Sequence, residues 1–126
     1  VEAVIRLVIE GAPRTKKTHQ RILRFGKFNK VVPSAQAIKW ERAAIWQLQA
    51  QWQRKAPLGG PVSVCALVYR EKAIGDLVGY LQAVGDALEK GGVLFNDRLI
   101  VSWDGSRLLK DAARPRVEVT IEEVGE

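Results

Sequence analysis

Apolar and polar residues alternate over positions 1–10. Ala3, Ile5, Leu7 and Ile9 share one parity, and Arg6 and Glu10 take the other. A period of two predicts a strand with one buried face. Residues 11–33 lose that pattern and read as a long polar loop, with a short ribbon around 21–29. A loop of this length in a small domain is usually functional. At Pro33-Ser34 the period changes. Ser34 suits an N-cap, and Ile38, Ile45, Leu48 and Trp52 then recur at helical spacing, which predicts a helix to about residue 54. Trp40 and Ala44 add a second apolar strip. Such a helix expects two packing partners, its own sheet and a neighbour or second subunit. Pro57-Leu-Gly-Gly-Pro61 ends it.

Residues 62–70 form an apolar run that predicts a strand, and residues 76–90 a second helix, with Leu77, Leu81, Val84 and Leu88 on one face and Gly91-Gly92 at its end. Gly79 and Gly85 inside it each cost about 1 kcal/mol relative to Ala. They are expected where another backbone approaches closely, as at a tight interface. Residues 99–104 predict a strand and 105–115 a polar loop. In the last strand Val117, Val119 and Ile121 alternate with Glu118, Thr120 and Glu122. The expectation is a single α+β domain over 1–126, a mixed four-stranded sheet with two helices on one face. No internal repeat appears.

Composition narrows the class. A chain of 126 residues, 27% charged and 47% hydrophobic, is one domain with a core of its own. No apolar run approaches the roughly 18 residues of a membrane span, and the first residues lack the basic and small-residue pattern of a signal peptide. One cysteine and one histidine exclude an internal disulfide and a Cys/His zinc site. Cys65, within an apolar run, is expected as a small buried hydrophobe. A reducing cytoplasm is the expected compartment.

The net charge of +6 comes from one stretch. Residues 11–40 carry Arg14, Lys16, Lys17, Arg21, Arg24, Lys27, Lys30 and Lys39 with no acid, whereas the remainder carries more acids than bases. Clustered cations bind phosphates and release counterions; the plainer reading is a solvated basic face. Phe25 and Phe28 interleave with these cations. They suit stacking on bases or packing of the loop onto the domain. His19 reads as one more donor in this loop.

Phosphodiester chemistry needs carboxylates that converge on a divalent cation. Asp76, after Gly75 at a helix start, and Asp97, in the Phe95-Asn-Asp-Arg98 turn, are the candidates near element ends. Each also has a local reading, Asp76 as an N-cap and Asn96-Asp97 as a turn. Asp86 lies ten residues along the helix from Asp76, about 15 Å by helical rise, and reads as a helix-face or interface residue. Asp104-Gly105 reads as a turn. No P-loop, nucleophile elbow, HExxH or paired CxxC is present.

The segment Gly75-Asp-Leu-Val-Gly-Tyr-Leu-Gln-Ala-Val-Gly-Asp-Ala-Leu88, followed by Gly92-Val-Leu-Phe-Asn-Asp-Arg98, resembles the RusA-type Holliday-junction resolvases. Gly11-Ala-Pro-Arg-Thr-Lys-Lys17 is similar to that family's opening motif. The Val32-Pro-Ser34 helix start and the Pro57–Pro61 break match as well. The resemblance implies a homodimer that cuts four-way DNA junctions by paired nicks, with Mg²⁺, or Mn²⁺ in its place, held by acidic residues. Asp76 matches the first motif acid and Asp97 the last. Three positions depart: Val78 replaces the second Asp, Gly79 the following Asn, and Gln82 the Lys one turn on.

The leading expectation is a structure-selective endonuclease. Asp76 and Asp97 would hold the metal, and Lys16, Lys17, Arg21, Arg24 and Lys27 would hold phosphates. Neither a membrane nor a small-molecule cofactor is expected. The alternative is a RusA-like protein that binds branched DNA without cutting, for which Val78 and Gln82 speak. A third reading is a small dimeric scaffold or RNA-binding module.

Overall fold

The computed structural model describes residues 4–16, 20–25 and 28–125, and for 20–25 and 28–33 the backbone alone. The first strand, β1 (Val4–Glu10), follows the expected alternation. An antiparallel ribbon, β2 (Gln20–Phe25) with β3 (Phe28–Pro33), occupies the basic stretch and pairs Phe25 with Phe28 at its tip. Helix α1 (Ala35–Trp52) starts at Ser34, whose side chain accepts from Ala37 N. It ends at Trp52, two residues before the expected stop, and Gln53 and Arg54 then take positive φ. Then come β4 (Val62–Arg70), α2 (Leu77–Lys90), a 3₁₀ turn (Asp97–Leu99), β5 (Ile100–Ser102), β6 (Arg107–Lys110) and β7 (Arg116–Glu123).

The main sheet runs β1-β7-β4-β5, and β6 also pairs with β4. β7 is antiparallel to both β1 and β4, whereas β5 and β6 run parallel to β4. The sheet thus has five strands, not four. The difference lies at one edge, where the expected strand over 99–104 shrinks to Ile100–Ser102. The chain turns at Trp103–Ser106, and a second short strand forms inside the expected polar loop. Leu108 and Leu109 were the only apolar signal there. A four-residue strand is too short to show a period, and the register with Leu67–Arg70 exists only after folding.

Leu7, Ile9, Val62, Val64, Ala66, Val68, Val117, Val119 and Ile121 point to one face. They form a single core with Trp40, Ala44 and Leu48 of α1 and Tyr80, Val84 and Leu88 of α2. Both helices therefore cover the same face of the sheet. Residues of the opposite parity on β4, Ser63, Cys65, Leu67 and Tyr69, are half-buried on the uncovered face. Cys65 belongs to this face, not to the core. On the same face Arg116 stacks over Tyr69 at 3.8 Å and pairs with Asp111 and Glu118.

The outer edge of β1 is closed by side chains. Gln51 accepts from Val8 N and donates to Val8 O at 2.8 and 2.6 Å, and Gln47 does the same with Glu10 at 2.7 and 3.0 Å. Two glutamines one helical turn apart thus stand in for a neighbouring strand on an otherwise open edge. No helix among the described residues is long and apolar enough to cross a membrane.

Candidate functional site

Asp76 sits where β4 hands over to α2. Gly75 takes φ +89°, and a Cβ there would meet the Tyr80 ring at 2.8 Å, so only glycine fits the turn. Arg70, at the end of β4, ties the turn down by donating from Nη1 to Ile74 O and Gly75 O at 3.3 and 3.1 Å. The Tyr80 hydroxyl donates to Ile74 O at 2.6 Å. Burial holds this phenol above the ordinary tyrosine value against the opposing pull of Arg70 and Arg14, so it remains the donor. Asp76 is the N-cap of α2. Its Oδ1 accepts from Gly79 N at 3.0 Å, and its side chain is exposed.

Asp97 opens the 3₁₀ turn. Its backbone N–H donates to Glu89 Oε1 at 2.8 Å, and Asn96 Oδ1 caps Arg98 N. The Asp97 side chain lies against α2 at Gly85, where an added Cβ would stand 3.8 Å from Asp97 Cβ and 3.7 Å from both Ile100 and Trp103. Val78, Leu81, Gln82, Gly85, Asp97 and Trp103 line one pocket of about 310 Å³. Two of the departures from the motif, Val78 and Gln82, therefore share a wall with Asp97. Val78 is 69% exposed, an isopropyl group turned to water where a carboxylate is expected.

The two candidate acids stand beside different turns of the same helix. A Cβ at Gly79 would meet Asp76 Oδ1 at 2.6 Å, and one at Gly85 would meet Asp97 Cβ. Six residues separate these glycines, about 9 Å of rise and about 120° around the helix. Asp76 is absent from the lining of the Asp97 pocket, and no group of three or more His, Cys, Asp or Glu side chains gathers among the described residues. Mg²⁺ wants several oxygen donors at short range and takes the rest from water. Val78, with an aliphatic side chain, offers none.

Gly79 makes room for the Asp76 carboxylate and Thr15, whereas a Cβ at Gly85 would meet Asp97, Ile100 and Trp103 only at ordinary contact distance. Close approach of another backbone was expected at both glycines; at Gly79 the approaching groups are side chains of the same chain.

Lys16 is held at the junction of α1 and α2. Its ammonium pairs with Glu41 at 2.7 Å and Asp86 at 3.7 Å, and Lys90 reaches the same Glu41 at 2.9 Å. Burial alone would raise the Glu41 pKa, but the two lysines outweigh it and hold the carboxyl below its ordinary value. Arg21 and Arg24 lie on β2, paired across the ribbon with Val32 and Asn29. Lys17, His19 and Lys27 lie outside the described residues. Asp104 faces a separate pocket with Ser63, Cys65, Thr120 and Glu122, and Asp111 is engaged by Arg116 and Arg114.

Two further cations, Arg70 and Lys72, escaped notice in the sequence. Arg14, Arg70 and Lys72 line a groove of about 270 Å³ beside the turn that carries Asp76. Arg70 ends an apolar strand and Lys72 stands in a short charged link, so neither belongs to the basic run that drew attention to residues 11–40.

A small α+β domain with an acid-tipped helix and a ribbon in its basic stretch has the parts of a nucleic-acid-processing protein. The model of the family Endodeoxyribonuclease RusA matches residues 10–122, nearly the whole chain, and the protein belongs to that family. No curated protein matches it.

Proposed function

We propose that this protein acts on four-way or branched DNA in the manner of its family, as a structure-selective endodeoxyribonuclease that resolves Holliday junctions, working as a homodimer. The family match over 10–122, with Asp76 and Asp97 retained at their motif positions, carries this reading. The excess of cations in residues 11–40 supports backbone recognition, in which shape and phosphate charge dominate over base readout. Lys16, Lys17, Arg21, Arg24 and Lys27 are the proposed phosphate contacts, and Lys16 would exchange Glu41 and Asp86 for DNA.

A second reading, junction binding without cutting, is favoured by one observation: Val78 and Gln82, which bring neither carboxylate nor ammonium, line the pocket of Asp97. For cutting, Asp97 would need further donors, from Asp76, the partner copy or the DNA itself.

The test is nicking of a labelled synthetic four-way junction with Mg²⁺, Mn²⁺ or EDTA, beside a gel shift on the same DNA. Symmetric metal-dependent nicks are expected. Asp76→Asn and Asp97→Asn should abolish them and leave binding intact. Asn caps a helix as well as Asp does, so the first variant removes charge without unfolding α2. Binding without nicks under every metal would replace the first reading by the second. No preference for the junction over duplex DNA would overturn both.

A further inference from the structure

Two buried side-chain donors among the described residues have no acceptor: Arg70 Nε and Trp40 Nε1. Buried polar groups are nearly always satisfied, so an orphan calls for a missing partner. Both residues belong to one region. Arg70 lines the groove of about 270 Å³ beside Gly75-Asp76, together with Arg14, Gln36, Lys72 and Tyr80. Trp40 lines an adjoining hollow of about 310 Å³ between the Glu10–Arg14 stretch and α1, with Lys39, Arg14 and Gln36. Arg14 and Gln36 form the shared wall, so the two hollows are halves of one cleft.

The cleft is cationic and its donors are idle. Arg14 gives one hydrogen bond, from Nη1 to Pro13 O, and neither Lys72, Lys39 nor Gln36 has a partner among the described residues. Against these four cations, counting Arg70, stand two acids. Glu10 is already neutralised by Arg114 through bonds of 2.7 and 3.0 Å, which leaves Glu71. Guanidinium groups with free N–H forks suit the oxygens of a phosphate.

We propose that Arg14, Arg70 and Lys72, with Gln36, seat one backbone phosphate of the DNA strand that runs past Asp76. Arg70 is the positioning residue of this seat. One edge of its guanidinium holds the Ile74 and Gly75 carbonyls that aim Asp76, so the seated phosphate and the motif acid share one rigid anchor. The inference rests on the proposal that the chain binds branched DNA, and adds a contact outside the basic ribbon.

Two measurements test it. The first uses 5′-phosphorylated thymidine dinucleotide and the ¹H–¹⁵N signals of the arginine Nε–H and tryptophan indole N–H groups. The Arg14, Arg70 and Trp40 signals should move on titration in the wild type, and those of Arg70 and Trp40 should stay still in Arg14→Gln/Lys72→Gln. The second is junction affinity against salt. That double variant, whose side chains give no hydrogen bond among the described residues beyond the one to Pro13 O, should bind roughly tenfold more weakly, as expected for a lost charge-assisted contact. Its log–log salt slope should fall by about 0.9 for each seat lost. Arg70→Lys should lose affinity as well, while Lys55→Gln, beyond the end of α1, should change neither. Unchanged affinity and slope in Arg14→Gln/Lys72→Gln, with a wild type that still prefers junctions, would overturn the seat and leave the DNA reading standing. A wild type without junction preference would overturn that reading, and the dinucleotide titration alone would then decide the seat. Signals that ignore the dinucleotide would overturn it.

Discussion

Replacing Glu41 by Gln tests whether the basic arm is locked to the helices by charge. Glu41 is 16% exposed and receives Lys16 at 2.7 Å and Lys90 at 2.9 Å, so one carboxylate joins the loop after β1 to both helices. The lysines are 37% and 47% exposed, which screens the attraction toward the value of a surface pair. The expected cost of Glu41→Gln at neutral pH is about 1 kcal/mol. In a domain of this size that lowers Tm by roughly 3–5 °C. Because the folded pKa of Glu41 is lowered, its contribution is present above the unfolded value of 4.5 and disappears as pH falls through the folded one. Lys90 has a raised folded pKa, chiefly from its bond to Glu41, so its share is present below 10.5 and is lost as pH climbs past the folded value. The window is thus open from weakly acidic to strongly alkaline pH. Thermal unfolding of both proteins from pH 7 down to about pH 3 should show the gap closing at the acid end. A gap that persists unchanged in acid would assign the loss to packing and refute the argument from charge.

Two glycines of α2 should respond in opposite directions. Gly79→Ala puts a methyl 2.6 Å from Asp76 Oδ1, so the cap must break, at a cost of about 1 kcal/mol even after the gain in helix propensity. Gly85→Ala meets only ordinary contacts at 3.7–3.8 Å and should be neutral or stabilising by up to about 1 kcal/mol; urea midpoints of the two variants would expose an error in either sign. Gln47→Ala/Gln51→Ala strips the outer edge of β1 of four hydrogen bonds. It should lower stability by about 2 kcal/mol and promote association through the bared edge, read by denaturation and light scattering. A double variant as stable and as monodisperse as its parent would show that the glutamines are dispensable.

The long elements were legible because they are periodic. Val117–Ile121 and Ile5–Ile9 alternate with the pleat, and Leu77–Leu88 keeps one helical face apolar, so each had a single way to bury its side chains. Ser34 and Asp76 marked both helix starts by cap chemistry that acts within one turn. Arg107–Lys110 was not legible, because a short strand owes its existence to the β4 edge it joins. Cys65 was misplaced in the core because a continuous apolar run hides which parity faces the helices.

The candidate site divides along the same line. Residue identity alone determined that Asp76 and Asp97 bring carboxylates and that Val78 and Gln82 bring no carboxylate and no ammonium, since ligand chemistry is local to the side chain. Only the tertiary structure decided that Val78 and Gln82 share a pocket with Asp97, and that Gly79 leaves room for the Asp76 carboxylate. It alone brought Arg14 to one cleft with Arg70 and Lys72, from two separate stretches of chain. Charge and capping are written in neighbours along the sequence, whereas convergence depends on contacts between distant segments that exist only when the core has closed.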